Sequence, residues 1–134
     1  MKGKYNPTIV YTHHHADITV DHQQIFKAVI TSFRPIQGEQ VPYIYSCEIP
    51  SSTEWQAPFA AFAFQPNLFV DISDTLEIKK RALAAYDSEL RRYPHPRSVE
   101  AIEVIAKRWG GMVGYLAAEP FVLVRGVVKS VTAG

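Results

Sequence analysis

Thr8-Ile9-Val10-Tyr11-Thr12 is the stretch that decides the fold, because it is β-branched and aromatic and contains almost no polar interruption. Such a run is typical of a strand that is buried on both faces, as in a parallel sheet. A polar loop, residues 13–21, follows it. Apolar residues then recur at three- and four-residue spacing, which predicts an amphipathic helix: Ile25, Phe26, Val29, Ile30 and Phe33. Asp21 and Gln24 match a capping box at its start, and Pro35 ends it.

Working outward, three more strands are predicted over residues 41–49, 68–72 and 121–128. Residues 50–66 form a long loop with aromatic anchors, and loops of this length are often functional. Asp74 with Glu77 forms a second capping box, which opens a helix. Ser98 caps a third helix, and Gly110-Gly111 end it. The predicted order, β-α-β-loop-β-α-α-β, favours a layered α/β fold.

The first strand also raises a question of completeness, because it begins only seven residues into the chain. A strand buried on both faces needs neighbours on each side, and the chain offers few strands to provide them. We therefore expect residues 1–134 to form a single domain, or the C-terminal part of one, with the strand at residues 8–12 in a central and mostly parallel sheet. Part of that sheet is expected to lie upstream.

Composition bounds the class of protein. The chain has 134 residues, of which 47% are hydrophobic and 12% aromatic, and this excludes a disordered tail. A formal net charge of +1 gives no electrostatic footprint for nucleic acid. The sequence contains neither a transmembrane run nor a secretory signal. Its one cysteine, Cys47, cannot form an internal disulfide, and this favours the cytoplasm.

The most informative segment is the polar loop, His13-His14-His15-Ala16-Asp17-Ile18-Thr19-Val20-Asp21-His22. Ligands in open α/β sheets bind beyond the carboxyl ends of strands, and imidazole and carboxylate are the usual ligands of a catalytic zinc. His22 lies on the predicted inward face of the helix. It is therefore either a metal ligand or a core histidine with a satisfied hydrogen bond.

Several segments together resemble the later half of the LmbE-like (PIG-L) de-N-acetylase family. They are Val10-Tyr11-Thr12-His13-His14 with Asp21-His22, Glu48-Ile49-Pro50-Ser51-Ser52-Thr53-Glu54, Phe64-Gln65-Pro66-Asn67, Pro94-His95-Pro96-Arg97-Ser98 and Ala118-Glu119-Pro120-Phe121. These segments follow one another in the family's order and cover nearly the whole chain. Each segment alone is a weak signal, whereas the set is specific.

The resemblance implies a Rossmann-like α/β sandwich and a zinc-dependent hydrolase that removes N-acetyl groups from glucosamine-type sugars. It implies that His22 is the family's later zinc ligand and that Asp21 supports the catalytic groups. By the same resemblance, His15 and Asp17 are expected to be site residues. Thr19 stands where the family usually has Asn. The expected partners are an N-acetylated amino-sugar substrate and either a second copy of the chain or an N-terminal segment.

One family motif is absent. The family's other zinc ligands and its general base come from an N-terminal His-Pro-Asp-Asp motif, and this sequence has none, because His95-Pro96 is followed by Arg97-Ser98. The expectation is therefore the C-terminal portion of a deacetylase. The alternative is a catalytically inactive fragment or homologue that acts as an interaction module.

Other polar residues keep two interpretations. One interpretation is that sugar hydroxyls hydrogen-bond to Ser51, Ser52 and Thr53, and the other is that these residues serve simple turn chemistry. His95 and Arg97 contact an anionic part of the substrate or belong to a rigid connector. Glu48 faces the site or forms a structural ion pair.

Overall fold

A computed structural model of the protein describes residues 2–38 and 41–128. The strands are β1 (Ile9–His13), β2 (Tyr43–Cys47), β3 (Leu68–Asp71) and β4 (Ala118–Gly126). The helices are α1 (Lys2–Tyr5), α2 (Val20–Ser32), α3 (Leu76–Ala84) and α4 (Val99–Val113). Apart from the short α1, this is the order of elements that the sequence predicts. The fold is mixed α/β.

The four strands form one sheet in the order β1-β2-β4-β3. β1 pairs with β2 in parallel, with Tyr11 opposite Tyr45, whereas β4 runs antiparallel to both β2 and β3. Within the described residues the sheet is therefore mixed, and the prediction of a mostly parallel sheet is wrong there. The antiparallel pairs arise because β4 follows α4 and enters the sheet in the reverse direction.

β1 is an edge strand among the described strands, and the prediction that it is central and buried on both faces is wrong for them. Ile9 and Tyr11 are 42% and 57% exposed. The Tyr11 ring packs against the rings of Tyr45 and Phe121, with 5.5 Å between centroids in each case. Thr12, on the opposite face, is buried. The apolar run thus forms a strand with one buried and one largely open face.

Helices cover both faces of the sheet. α4 packs on β4 and β3, and α3 packs on α4, around a buried cluster of Ile72, Leu76, Ala106 and Ala117. α2 packs against β1 on the other face. None of the described helices combines the length and apolar character needed to cross a bilayer.

The helix ends differ from the predicted ones in instructive ways. α2 begins after Thr19, which occupies the N-cap position, so Asp21 lies inside its first turn rather than capping it. In the same way α3 begins after Thr75, and no side chain caps it. Ser98 does cap α4, because its hydroxyl accepts a hydrogen bond from the Ala101 N–H at 3.0 Å.

α4 continues through Gly110-Gly111, where the sequence predicts its end. It stops at Gly114, whose φ of 83° lies in the left-handed region that favours glycine. Gly110 serves packing instead: a Cβ there would lie 2.6 Å from the Tyr115 carbonyl oxygen and 2.7 Å from Ala117. The glycine therefore allows the helix to approach the chain that leads into β4.

Candidate functional site

Two loops meet at the carboxyl ends of the parallel pair β1 and β2. Residues 14–19 follow β1, and residues 48–54 follow β2. Because the two strands are parallel and adjacent, both loops leave the sheet at the same edge. This is the position at which open α/β sheets bind ligands.

Asp17 holds the two loops together. Its carboxylate is fully buried and accepts hydrogen bonds from the Ser52 hydroxyl, from the Thr53 hydroxyl at 2.9 Å and from the Thr19 N–H at 2.9 Å. The Gln23 side-chain amide donates to the Asp17 carbonyl oxygen at 2.7 Å, which adds the first turn of α2 to the network. The carboxylate therefore has every donor that a buried anion requires.

These donors also decide the charge of Asp17. Burial acts to raise the pKa of this carboxyl group, but the hydrogen bonds from Ser52, Thr19 and Thr53, together with the adjacent His22, lower the pKa below its ordinary value. Asp17 is consequently an ionised carboxylate at neutral pH, and it places a negative charge at the centre of the site.

His22 lies directly beside this carboxylate. Its Nδ1 is 3.3 Å from Asp17 Oδ2, and its ring stacks on His13 with 4.1 Å between centroids. The contact lacks hydrogen-bond geometry, since the buried Nδ1 has no hydrogen-bond partner among the described residues. A carboxylate at Nδ1 favours a proton on that nitrogen and leaves the Nε2 lone pair available, which is the arrangement of a metal-binding histidine.

His22 borders a cavity of about 300 Å³. The other lining residues come from both loops and from the segment before α4: Thr19, Ile49, Pro50, Ser51, Ser52 and Arg97. The guanidinium of Arg97 forms an ion pair with Glu89, while its Nε is buried and has no hydrogen-bond partner among the described residues. The cavity thus presents an imidazole, hydroxyl groups and a cation.

Of the predicted site residues, the structure brings Asp17 and His22 together, as expected, and leaves His15 and Asp21 apart. His15 is exposed, and its Nε2 lies 3.3 Å from the Ala61 carbonyl oxygen. It lines a different cavity of about 450 Å³ together with Phe26. Asp21 is exposed in the first turn of α2, and its side chain has no hydrogen bond or ion pair with the described part of the chain.

His13 and His14 complete the polar loop, and their places were not predicted. Burial and the neighbouring His22 lower the pKa of His13. His14 is buried, its Nε2 donates to the Phe62 carbonyl oxygen at 2.8 Å, and burial lowers its pKa. His14 therefore fixes the aromatic loop, residues 50–66, against the site. Successive side chains along a strand point to opposite faces, and β1 ends at His13. This alternation is the sequence signal that could have placed His13 and His14 on different sides.

The structure also places the other polar residues. The Ser51 and Ser52 N–H groups donate to the Glu54 carboxylate in a local turn, whereas the Ser52 and Thr53 hydroxyls donate to Asp17 in the other loop. Glu48 accepts a hydrogen bond from Trp109 Nε1 at 2.7 Å, and burial raises its pKa. It lines a cavity next to α4, away from His22.

The His95 ring accepts a hydrogen bond from the Arg97 N–H at 3.1 Å and meets Trp55 edge to face. Both contacts fit a rigid connector.

No group of three or more His, Cys, Asp or Glu side chains is placed to hold a metal ion within residues 2–38 and 41–128. A catalytic zinc takes three protein ligands. The described residues therefore do not make up a zinc site by themselves.

Comparison with protein-family models gives no match, and comparison with curated proteins gives none either. Among solved structures, the chain is similar to the crystal structure of the conserved protein TT1542 from Thermus thermophilus, with a TM-score of 0.69 and 22% sequence identity. The match covers 96% of this chain and 57% of that one. At this identity the similarity shows the fold alone, and the chain spans a little over half the length of its structural neighbour.

Proposed function

We propose that this chain is the C-terminal portion of a zinc-dependent de-N-acetylase of the LmbE-like (PIG-L) type, acting in the cytoplasm on N-acetylated amino sugars. The observation that carries the proposal is His22, held beside the buried carboxylate of Asp17 at the edge of a 300 Å³ cavity. Its position beyond the carboxyl ends of a parallel strand pair is where open α/β sheets bind their ligands.

The proposal requires partners that the described residues lack. One zinc ligand, His22, comes from this chain. The remaining ligands and the general base would come from a His-Pro-Asp-Asp segment, supplied upstream or by another polypeptide, which would also extend the sheet towards a Rossmann-like one. The edge of β1 that is not paired with β2 carries no strand among the described residues and is the place where such a segment would pair.

The residues of this chain have definable roles in that site. Asp17 places its carboxylate beside His22 and keeps the loops on either side of it in place through Ser52 and Thr53. The Thr19 hydroxyl donates to the Ser52 hydroxyl oxygen at 2.6 Å, since the Ser52 hydrogen goes to Asp17, and this bond fixes the cavity wall next to His22. Asp17, rather than Asp21, is the carboxylate that supports the proposed ligand.

The test joins this chain to an upstream segment that bears His-Pro-Asp-Asp and measures bound zinc and acetate released from an N-acetylglucosamine derivative. His22→Ala is expected to abolish both, because one of three protein ligands is lost. His95→Ala is the matched control and is expected to leave zinc content intact, since His95 contacts Trp55 and not the cavity. Full zinc content and activity in His22→Ala would show that the ligand assignment is wrong.

An interaction module is the second candidate, and a specific observation favours it. Among the described strands, β1 has one unpaired edge, and its exposed Ile9 and Tyr11 add apolar surface of the kind that accepts another strand. Two measurements tell the candidates apart. An interaction module binds its partner without zinc, and it releases no acetate after it is joined to the upstream segment.

A further inference from the structure

A second cavity, of about 240 Å³, lies between α4 and the sheet and does not include His22. Its walls are mostly apolar side chains of α4 and β4, among them Ile102, Trp109 and Phe121, and each of these three is buried. Of the described residues, only Pro50 lines both this cavity and the one beside His22. The second cavity therefore reaches into the apolar interior rather than towards the two polar loops.

The carboxylate of Glu48 lines this apolar cavity. Glu48 lies directly after β2, and its Oε1 accepts a hydrogen bond from Trp109 Nε1 at 2.7 Å. Its Oε2 accepts no hydrogen bond from residues 2–38 and 41–128. Burial raises the pKa of Glu48, and the Trp109 N–H, with the more distant Arg108 and Lys79, offsets this rise only in part. The carboxylate therefore lacks a close positive charge, which a buried anion requires.

The nearby cations are engaged elsewhere. Lys79 also lines the cavity, but its Nζ forms an ion pair with Glu119 Oε1 at 2.5 Å. The guanidinium of Arg108 lies over the Trp109 ring, 4.5 Å from the ring centroid. The ionisable acids and bases with ordinary charges along the described cavity wall are thus Glu48, Glu119 and Lys79, which together carry one uncompensated negative charge. A ligand with one positive charge would balance it.

We propose that this cavity binds a small primary amine, with the ammonium group at the Glu48 carboxylate and an apolar body against α4 and β4. An ammonium group has three N–H donors, and one of them would satisfy Glu48 Oε2. The apolar walls exclude a polyhydroxylated amine, because its hydroxyl groups would be buried without partners. A cavity of about 240 Å³ is smaller than most drug-binding sites and fits a body the size of a benzyl group. This site goes beyond the proposed function and does not depend on it.

The test is an NMR titration of the purified chain at neutral pH with benzylamine, benzyl alcohol and benzoate, which share one apolar body and differ in charge. Ligands of this size bind with a Kd of about 1 mM, which suits a titration of chemical shifts. Benzylamine is expected to bind roughly tenfold more tightly than benzyl alcohol, as a hydrogen bond to a charged group allows, and benzoate to bind most weakly. Glucosamine has the ammonium group without the apolar body and is expected to bind more weakly than benzylamine.

The Trp109 indole N–H reports where the probe binds, because it donates to Glu48. Its signal is expected to shift with benzylamine, whereas the indole signal of Trp55, which lies outside the cavity, is expected to stay in place. Glu48→Gln is expected to remove the preference for benzylamine and to keep the binding of benzyl alcohol. Glu100→Gln is the matched control, since Glu100 is exposed outside the cavity and its replacement removes the same charge. Circular dichroism establishes that each variant is folded.

Equal affinity of the wild-type chain for benzylamine and benzyl alcohol would overturn the proposal, and this comparison stands whether or not Glu48→Gln folds. An unchanged preference in a folded Glu48→Gln would overturn it as well, as would glucosamine that binds as tightly as benzylamine. His22→Ala is expected to bind benzylamine with wild-type affinity, because His22 lines the other cavity, and a loss of binding there would contradict the assignment to Glu48. A chain that binds benzylamine at Glu48 but releases no acetate after joining would contradict the proposed function alone.

Discussion

Replacing Asp17 by Asn tests the centre of the site, because the change removes one charge and keeps the shape of the side chain. Oδ1 of Asp17 accepts from the Ser52 hydroxyl and the Thr19 N–H, and Oδ2 accepts from the Thr53 hydroxyl. In Asp17→Asn an amide NH₂ replaces one of these oxygens. The Thr53 hydroxyl then has to turn and accept, although its oxygen already accepts from the Ile49 N–H at 2.8 Å.

The magnitude follows from these three bonds. A hydrogen bond to a charged group contributes about 1.5–3 kcal/mol to stability and a neutral one about 0.5–1.5 kcal/mol. The loss is therefore about 1 kcal/mol for each bond, and Asp17→Asn is expected to lower the free energy of unfolding by roughly 3 kcal/mol. Asp21 lies only four residues after Asp17, but its side chain is exposed. Asp21→Asn removes the same charge, and it is expected to lower the free energy of unfolding by about 0.5 kcal/mol or less.

Urea unfolding at pH 7, followed by circular dichroism, measures both variants against the wild type. The pKa of Asp17 lies below its ordinary value, so its stabilising effect is present above the pKa of a free aspartate, about 3.9, and is lost as pH falls through the lower folded pKa. The difference between wild type and Asp17→Asn should therefore shrink below about pH 4. Equal destabilisation by Asp17→Asn and Asp21→Asn at pH 7 would refute the reasoning.

Two further predictions concern the framework. Gly110→Ala is expected to destabilise the fold by about 1–3 kcal/mol, because the new Cβ meets the backbone of Tyr115 and Ala117. A Cβ at Gly111 would have no atom within 4 Å, so Gly111→Ala is expected to be neutral or to stabilise the fold by up to about 1 kcal/mol. Thermal melts that rank the two variants in the opposite order would contradict this. The open face of β1 is expected to cause self-association or binding of a hydrophobic dye. Tyr11→Lys is expected to reduce both effects. Light scattering that finds a wild-type monomer would contradict this prediction.

The order of elements could be predicted from the sequence because apolar spacing changes clearly between period 2 and period 3.6. The place of β1 in the sheet could not. A continuous apolar run, such as the one around Ile9 and Tyr11, is typical of a buried central strand, yet both side chains are largely exposed at the edge of the described sheet. Strand order depends on which distant segment pairs with which, and local composition does not encode that choice.

Glycine and capping signals were similarly ambiguous. Gly110-Gly111 predicted a helix end, but the helix continues through both, and Gly110 instead allows a close backbone contact. The terminator is Gly114, three residues beyond that pair, in the left-handed region. The Ser98 cap was predicted correctly, because a cap needs only a local hydrogen bond within one turn.

The choice between Asp17 and Asp21 shows why the site was predicted only in part. Asp21 precedes His22 in sequence, but consecutive helical side chains point in different directions, so adjacency does not bring them together. Asp17 precedes the helix, and its carboxylate accepts from the Thr19 N–H in a local turn that directs it back towards the first turn of α2. The turn could be predicted from Asp and Thr at this spacing, whereas burial of the carboxylate could not.

That burial depends on Ser52 and Thr53, which lie 35 and 36 residues further along the chain. The parallel pairing of β1 and β2 brings the loops that follow them to the same edge of the sheet. The hydrogen bonds of Asp17 join these two loops. The first loop leads to His22, and the second forms the opposite wall of the cavity through Ile49, Ser51 and Ser52. Because one buried carboxylate joins both loops, the negative charge beside His22 depends on the second loop, which local sequence around His22 does not encode.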